Sequence, residues 1–433
     1  MSGRTHKSLG SLAGLRGLFG GKTLFTRKPS AGVRPDFSYE PIPPNHGPLL
    51  AEDRLVFVHI EKTAGSTVHH VLSQNFHEDE ICPYRFGNLG YLGTEYLARF
   101  RFFALHAHLR VLRTIPQPTK FLTFVREPVA RLLSHYNFWR SVSDQVVDAE
   151  GLDHIRFLKQ LKLKELLAPS PLAVMPEFWN LTAHRFAGDL LLAPSGRPWR
   201  GEGELLETAL ANLANFATLG LTEFPELSFQ CVADDLAIPN RYQGARINVT
   251  AENSRHEPDR YDPVGPSDLD AETLECIDRA TTLDRAIYDA ATQRFRDRLQ
   301  QGVVLAGAVP PHLRTERLED CEIVIGDHAH GVVLFGPYCT LPAGQYRATL
   351  WVQAAVPALR NRPWSMSIDV WSGTAQRLFA ARQLDRVELA DRWFEPVEIQ
   401  FHLPVPTDNI EIRLHTSGLA ALAVKRCIAV RLL

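Results

Sequence analysis

The sequence predicts an α/β layered domain on a parallel sheet, followed by an all-β domain of jelly-roll type. From Arg54 to about Gln300, short apolar runs alternate with helix-like segments, as in successive βαβ units. The runs "LVFVHI", "FFALHAH", "KFLTFV" and "FATLGLT" are apolar on both faces, which suits strands buried on both sides. After "GVVLAGAVPPHLR" the texture changes. From about Leu318 to Leu433, alternating runs such as "YRATLWVQA", "SMSIDVWS", "VEIQFHL" and "IEIRLHT" are separated by turn-forming residues, the pattern of an antiparallel β-sandwich.

Along the chain, residues 1–50 read as a disordered basic tail. Its first 35 residues contain no acid, carry seven Lys or Arg from Arg4 to Arg34, and lead to the proline-rich "PIPPNHGP". Helices are expected at Ser66–Gln74, Pro128–Arg140, Ile155–Leu167 and Leu205–Phe216. A long charged helix, Ala271–Gln300, closes the first domain. The predicted boundaries are therefore 51–305 for the α/β domain and 315–433 for the β-sandwich.

The chain has 433 residues, and its 45% apolar and 22% charged content is ordinary for a globular protein. A net charge of −2 gives no global field for nucleic acid, so any anion binding is local. Six cysteines stand far apart with no CxxC pair, which argues against a zinc site or a disulfide framework and for a reducing compartment. No apolar run approaches the roughly 18 residues needed to cross a bilayer. The expectation is a cytoplasmic protein whose tail leaves room for peripheral membrane contact; the oligomeric state is not legible.

"RLVFVHIEKTAGSTVHHVL" (54–72) runs from an apolar strand into a small polar loop and then a helix. Such a loop brings backbone N–H groups close to an anion, and the helix N-terminus adds partial positive charge. Ser66 and Thr67 supply hydroxyls and Lys62 a mobile cation, a set suited to a phosphate or sulfuryl group. A capped helix with a surface lysine would read the same way. The order Lys-Thr-Ala-Gly-Ser-Thr is not GxxxxGK[ST], and "KFLTFV" ends in Arg126 rather than in a magnesium-binding Asp. Arg126, at a strand end and followed by Pro128 at a first helical position, stands where open α/β sheets bind ligands.

Together, "HIEKTAGST" and "FVREPVARLLSHY" resemble the two motifs by which sulfotransferases related to heparan sulfate 2-O-sulfotransferase bind PAPS (3'-phosphoadenosine 5'-phosphosulfate). The similarity extends more weakly through "FWNLTAHRFAG", "LLETALANLANFATLGLTEF" and "INVTAENSR", roughly residues 54 to 260. It implies a P-loop-like three-layer sulfotransferase domain. By position, Lys62, Thr63, Ala64, Gly65, Ser66 and Thr67 would cradle the 5'-phosphosulfate, and Arg126 and Ser134 would hold the 3'-phosphate. Three residues depart from the family pattern. Glu61 replaces the usual proline, and its carboxylate either turns from the loop or pairs with a substrate amine or basic residue. Glu127 replaces aspartate. Arg185 stands one place after the family arginine, where His184 now sits, which puts its role in doubt.

"RFFALHAHLRV" sets His106 and His108 two apart, on one face of an extended strand. Spacing alone leaves metal ligands and core histidines open. The resemblance implies that His108 is the general base at the acceptor site and His106 its supporting partner. It implies an enzyme that transfers the sulfuryl group of PAPS, without a metal, to a hydroxyl of a carbohydrate or glycan. The absent N-terminal anchor points to a bacterial-type enzyme. A P-loop-type kinase and a catalytically inactive glycan-binding protein are the alternatives. Arg99, Arg101, Arg110, Arg113 and Arg140 could line a basic acceptor cleft or be solvated face residues. "VVLFGPYCTLPAGQYRATLWV" resembles β-sandwich modules of bacterial surface-glycan enzymes. There Trp351, Trp364, Trp371 and Trp393 would stack on sugars or fill the core.

Overall fold

Four strands, β1 (Arg54–Val58), β2 (Phe102–Leu105), β3 (Thr119–Val125) and β4 (Thr218–Leu221), form an all-parallel sheet in the order β2-β1-β3-β4. The computed structural model describes residues 42–84, 89, 92–168, 176–188, 201–244, 262–313, 315–318, 321–354, 365–384 and 394–433. The tail up to residue 41 and the stretch "INVTAENSR" (247–255) lie outside them. The described residues divide into two compact units, one drawn from 129–180 and 262–282, the other from 42–128, 181–244 and 283–433.

The sheet belongs to the second unit, and its strands are buried throughout apart from Arg54. Pleating sends Leu55 and Phe57 into one hydrophobic cluster, and Val56 and Val58 into another across the sheet. Phe57, Phe102 and Phe124 reach at most 1% exposure, and each contributes about 1.5–3 kcal/mol by leaving water. Chain order reverses between β1 and β3: β2 is added on one side of β1, β3 on the other. In open parallel sheets the crevice at that reversal, beyond the strand C-termini, is the ligand position. The loops at residues 59–64 and 126–127 open there.

At the opposite end of β3, Lys120 is buried, and its Nζ donates to Asn45 Oδ1 (2.7 Å) and His46 O (3.1 Å) and lies 3.6 Å from Asp53 Oδ2. This clamp holds residues 42–50 on the sheet, with Leu49 N donating to Leu236 O and the buried Ile42 N to Asn212 Oδ1.

Three expected helices appear at Gly65–Ser73, Pro128–Ser141 and Glu202–Ala214. The other two break. Ile155–Leu167 becomes Asp153–Leu158 and Leu163–Leu166, because Glu165 accepts from Lys162 N and starts a second helix. Ala271–Gln300 divides into Ala271–Ala280 and Thr282–Gln300 at Thr281, whose hydroxyl donates to Ile277 O and competes with the helix ladder. In the first unit, Leu132, Leu133 and Tyr136 pack with Leu158, Leu166, Phe178 and Ile277.

The C-terminal region is antiparallel. Its strands are β5 (Val303–Ala306), β6 (Thr315–Leu318), β7 (Cys321–Leu334), β8 (Pro337–Leu341), β9 (Gly344–Ala354), β10 (Ser365–Ser372), β11 (Arg377–Gln383), β12 (Glu395–Leu403), β13 (Thr407–Lys425) and β14 (Cys427–Leu432). The long β13 changes register several times and pairs with β8, β10, β7 and β9 in turn. Within the second unit the helix Pro225–Leu236 packs on β5 and β8, and Arg296 donates to Ala343 O at 2.9 Å. One apolar cluster therefore runs from Phe224 and Phe295 to Val303, Leu341 and Tyr346. Trp351 and Trp371 are half-buried rather than core-filling, and the Arg413 guanidinium stands 5.3 Å from the Trp371 ring centroid; Trp364 and Trp393 lie outside the described residues. No helix among the described residues is long and apolar enough to cross a membrane. Cys82, Cys231, Cys276 and Cys339 are buried, unbridged thiols.

Candidate active site

The loop after β1 turns sharply. Lys62 and Ala64 take left-handed conformations, φ 68° and 58°, on either side of the buried Thr63. The Thr63 hydroxyl donates to Ile60 O at 2.9 Å and closes the turn, and Val68 N donates to Ala64 O as the helix begins. Turns of left-handed residues aim successive N–H groups into one concavity.

Gly65 opens the helix because His59 fills the space where a side chain would go. A Cβ there would lie 1.5 Å from His59 Nε2. The His59 ring stacks on Phe57 at 5.2 Å and lies 3.7 Å, centroid to centroid, from His106. His59 was not among the expected site residues. The sequence signal was its place immediately past a buried strand.

Across the chain reversal, Arg126 follows the last residue of β3 and donates through Nη1 to Lys62 O at 3.3 Å. Two cations thus share one crevice. Burial, and secondarily the Arg126 charge, pull the Lys62 pKa down from 10.5 to about 8. Glu127 N donates to Glu223 Oε1 at 2.7 Å, which fixes the backbone just past Arg126. Ser66 is half-buried in the first helical turn and Thr67 is buried. Ser134 belongs to the other unit, half-buried on Pro128–Ser141.

The histidine pair lies just beyond β2 rather than within it. His106 follows Leu105, the last residue of β2, and His108 is the N-cap of the helix Leu109–Leu112. The strand ends sooner than the apolar run suggested, because the backbone turns at Ala107 to start that helix. Both rings remain at the C-terminal edge of the sheet, half-buried.

Glu61 finds its partner in Arg185, 124 residues away, on the helix Leu181–Ala187. The guanidinium grips the carboxylate with two donors, Nη2 to Oε1 and Nε to Oε2, the latter at 3.3 Å. Its third nitrogen, Nη1, lies 3.2 Å from His108 Nε2. An arginine only donates, so His108 Nε2 accepts and the neutral ring carries its proton on Nδ1. His106 Nδ1 stands 3.6 Å from Glu61 Oε1. Asp284 holds the arginine's helix in place by accepting from Ala183 N at 3.0 Å, as does Asn212 by donating to Phe186 O at 2.8 Å. Two of the three departures from the resembled pattern, Glu61 and Arg185, are therefore partners. The signal was available: an added acid and a displaced base, of opposite charge, in one domain.

Arg101 lies at the other end of β2 from His106, donating to Leu50 O at 3.0 Å and pairing with Glu80 at 3.5 Å, and Arg99 stands over Tyr96. Neither lines the histidine edge. Among the described residues, no group of three His, Cys, Asp or Glu could hold a metal ion.

The model of the family described as "Sulfotransferase family" matches residues 50–165. No curated protein matches the chain. Among solved structures, a carbohydrate-binding module (CBM6cm-2) of Cellvibrio mixtus lichenase 5A, in complex with cellotriose, is similar over 30% of this chain and 95% of its own, at 11% identity and a TM-score of 0.22. The C-terminal CBM6 of LamC from Zobellia galactanivorans is similar over 30% of this chain and 98% of its own, at 10% identity and a TM-score of 0.20. At these scores neither likeness carries weight for this chain.

Proposed function

We propose that the chain is a PAPS-dependent O-sulfotransferase, related to the heparan sulfate 2-O-sulfotransferase group, that acts on a carbohydrate hydroxyl. The observation that carries this reading is the paired cations at the chain reversal. Arg126 donates to the Lys62 carbonyl, and the lysine is depressed to about 8 by burial and by its neighbour's charge. Such a site becomes favourable when an anion enters. The left-handed turn at Lys62 and Ala64 and the adjoining helix N-terminus add N–H donors to the same place. The match of residues 50–165 to the sulfotransferase family supports the same reading.

When bound, PAPS supplies the activated sulfuryl group. The residues then divide the work. The loop Lys62–Thr67 holds the 5' end; Arg126 takes the 3'-phosphate and also braces the loop through the Lys62 carbonyl. The acceptor hydroxyl takes the place of the Arg185 N–H at His108 Nε2. His108 accepts its proton as the acceptor oxygen bonds to sulfur and the bond from sulfur to the phosphate oxygen breaks. Proton transfer of this kind is worth roughly 10²–10⁴-fold. Lys62 and the loop N–H groups neutralise the charge left on the departing oxygen. His106, packed against His59 and beside Glu61, keeps the edge in register.

The test is calorimetric titration of the full-length protein with 3'-phosphoadenosine 5'-phosphate (PAP), against ATP with magnesium. Binding of the former, lost in Arg126→Ala, supports the reading, and preference for magnesium-ATP overturns it. His108→Ala should abolish transfer from labelled PAPS while PAP affinity survives; near-wild-type turnover would remove His108 as the base.

A further inference from the structure

The Glu61–Arg185 pair lies where an acceptor must approach His108, and its charge balance decides which acceptors can. Arg185 is almost fully buried, with a side-chain exposure of 10% against 18% for Glu61. Two of its guanidinium nitrogens are committed to the carboxylate, and the third reaches His108 Nε2. The remaining side of the carboxylate faces His106 at 3.6 Å. The helix that carries the arginine is tied down on both sides of it by Asp284 and Asn212.

An arginine fork at that distance from the base would, by itself, be a carboxylate or sulfate receptor, because its geometry matches a planar anion with two parallel donors. Glu61 already fills that fork. An acceptor carboxylate brought to His108 would meet a like charge on Glu61 and a guanidinium with no second acceptor to seek. An uncharged hydroxyl needs only to exchange with one N–H at Nε2. Arg99 and Arg101, at the other end of β2, add no positive charge at this edge, and Lys62 and Arg126 are taken up by the donor's anionic groups in the proposed complex.

We infer that Glu61 sets acceptor choice: by matching Arg185 it neutralises the ground beside His108, so the site takes an uncharged sugar rather than a uronate or an already sulfated one. The inference rests on the sulfotransferase reading and deepens it. Burial amplifies the discrimination, because the pair interacts at well below the dielectric of water. A penalty of about tenfold in affinity against an anionic acceptor is the least expected from one buried like charge.

The experiment uses the full-length protein saturated with PAP and two probes that differ only at C6, methyl β-glucoside and methyl β-glucuronide, each titrated calorimetrically to millimolar concentration. In the wild type the glucoside should bind at least tenfold more tightly. Glu61→Gln keeps the shape and one acceptor for Arg185 but removes the charge, and should raise glucuronide affinity about tenfold or more. The double variant Glu61→Gln with Arg185→Gln should lose that gain. Equal affinities in the wild type, or no glucuronide gain in Glu61→Gln, overturn the inference, and the wild-type comparison decides even if a variant fails to fold. PAP titration of each preparation separates the two levels. If PAP binds and the probes are not discriminated, only the acceptor inference fails; if PAP does not bind, the sulfotransferase reading fails and the inference with it.

Discussion

Raising the pH from 7 to 9 should weaken PAP binding through one residue, Lys62. In the folded protein its pKa is lowered to about 8, first by burial and then by Arg126. Both phosphates of PAP are fully ionised above about pH 7, since the second ionisation falls near 6. An anion seated against Lys62 stabilises the ammonium and returns its pKa to about the ordinary 10.4 or above. Below about 8 the free protein already holds the proton and binding is insensitive to pH. Between about 8 and 10 the proton must be taken up on binding, and affinity falls roughly tenfold per unit. At pH 9 the apparent Kd should be about tenfold weaker than at pH 7, or ~1.4 kcal/mol, with uptake of about 0.9 proton per PAP. Calorimetry in two buffers of different ionisation enthalpy measures both quantities. The stability of the ligand-free protein carries the opposite sign. The unfolded chain binds more protons than the folded one between about 8 and 10.4, so this group's penalty, about 3 kcal/mol at neutral pH, is relieved as pH rises through that window. Lys62→Met should remove both slopes. A Kd that is flat from pH 7 to 9 with no proton uptake, or a slope that survives in Lys62→Met, would refute the reasoning.

Gly65→Ala places a Cβ on His59 Nε2, which must move from its contact with His106; the expected cost is about 1–3 kcal/mol by thermal unfolding, with weakened PAP binding. An unchanged Tm and Kd would show that the ring yields freely. Lys120→Met strands the buried Asp53 carboxylate without its cation, and urea titration should give a loss of about 3 kcal/mol or more. A loss under about 1 kcal/mol would mean that Asn45 and the Leu50 N–H suffice. Truncation after residue 309 removes the strand paired with β5 and uncovers apolar residues of the helices Pro225–Leu236 and Thr282–Gln300. The fragment should lose its cooperative thermal transition; a soluble, cooperatively melting fragment would contradict that continuous core.

The strands and the loop they present were legible because their signals are local. "LVFVHI", "FFALHAH", "KFLTFV" and "FATLGLT" all contain parallel strands, since a run apolar on both faces has few other ways to be buried. Helix ends were less legible. Thr281 and Glu165 end or restart helices with single side-chain hydrogen bonds that hydrophobic periodicity does not register. The first strand of the antiparallel region, Val303–Ala306, was hidden because half of its residues are exposed, and its pairing with β14 is contributed from the far end of the chain.

The sequence by itself determined the residue types at the crevice: a lysine, hydroxyls and a glycine after one strand, an arginine after another, and two histidines at the end of a third apolar run. Order along the chain and strand-end placement were enough for that. Only the tertiary structure decided what those groups are to one another. The depressed Lys62 requires burial and the approach of Arg126 from the neighbouring strand. The occupied His108 Nε2 requires a guanidinium from a helix far along the chain. Glu61, whose place beside the loop no local rule explained, is answered by Arg185. Electrostatic partnership depends on distances of a few ångströms across a folded core. No pattern of neighbours along the chain encodes those distances.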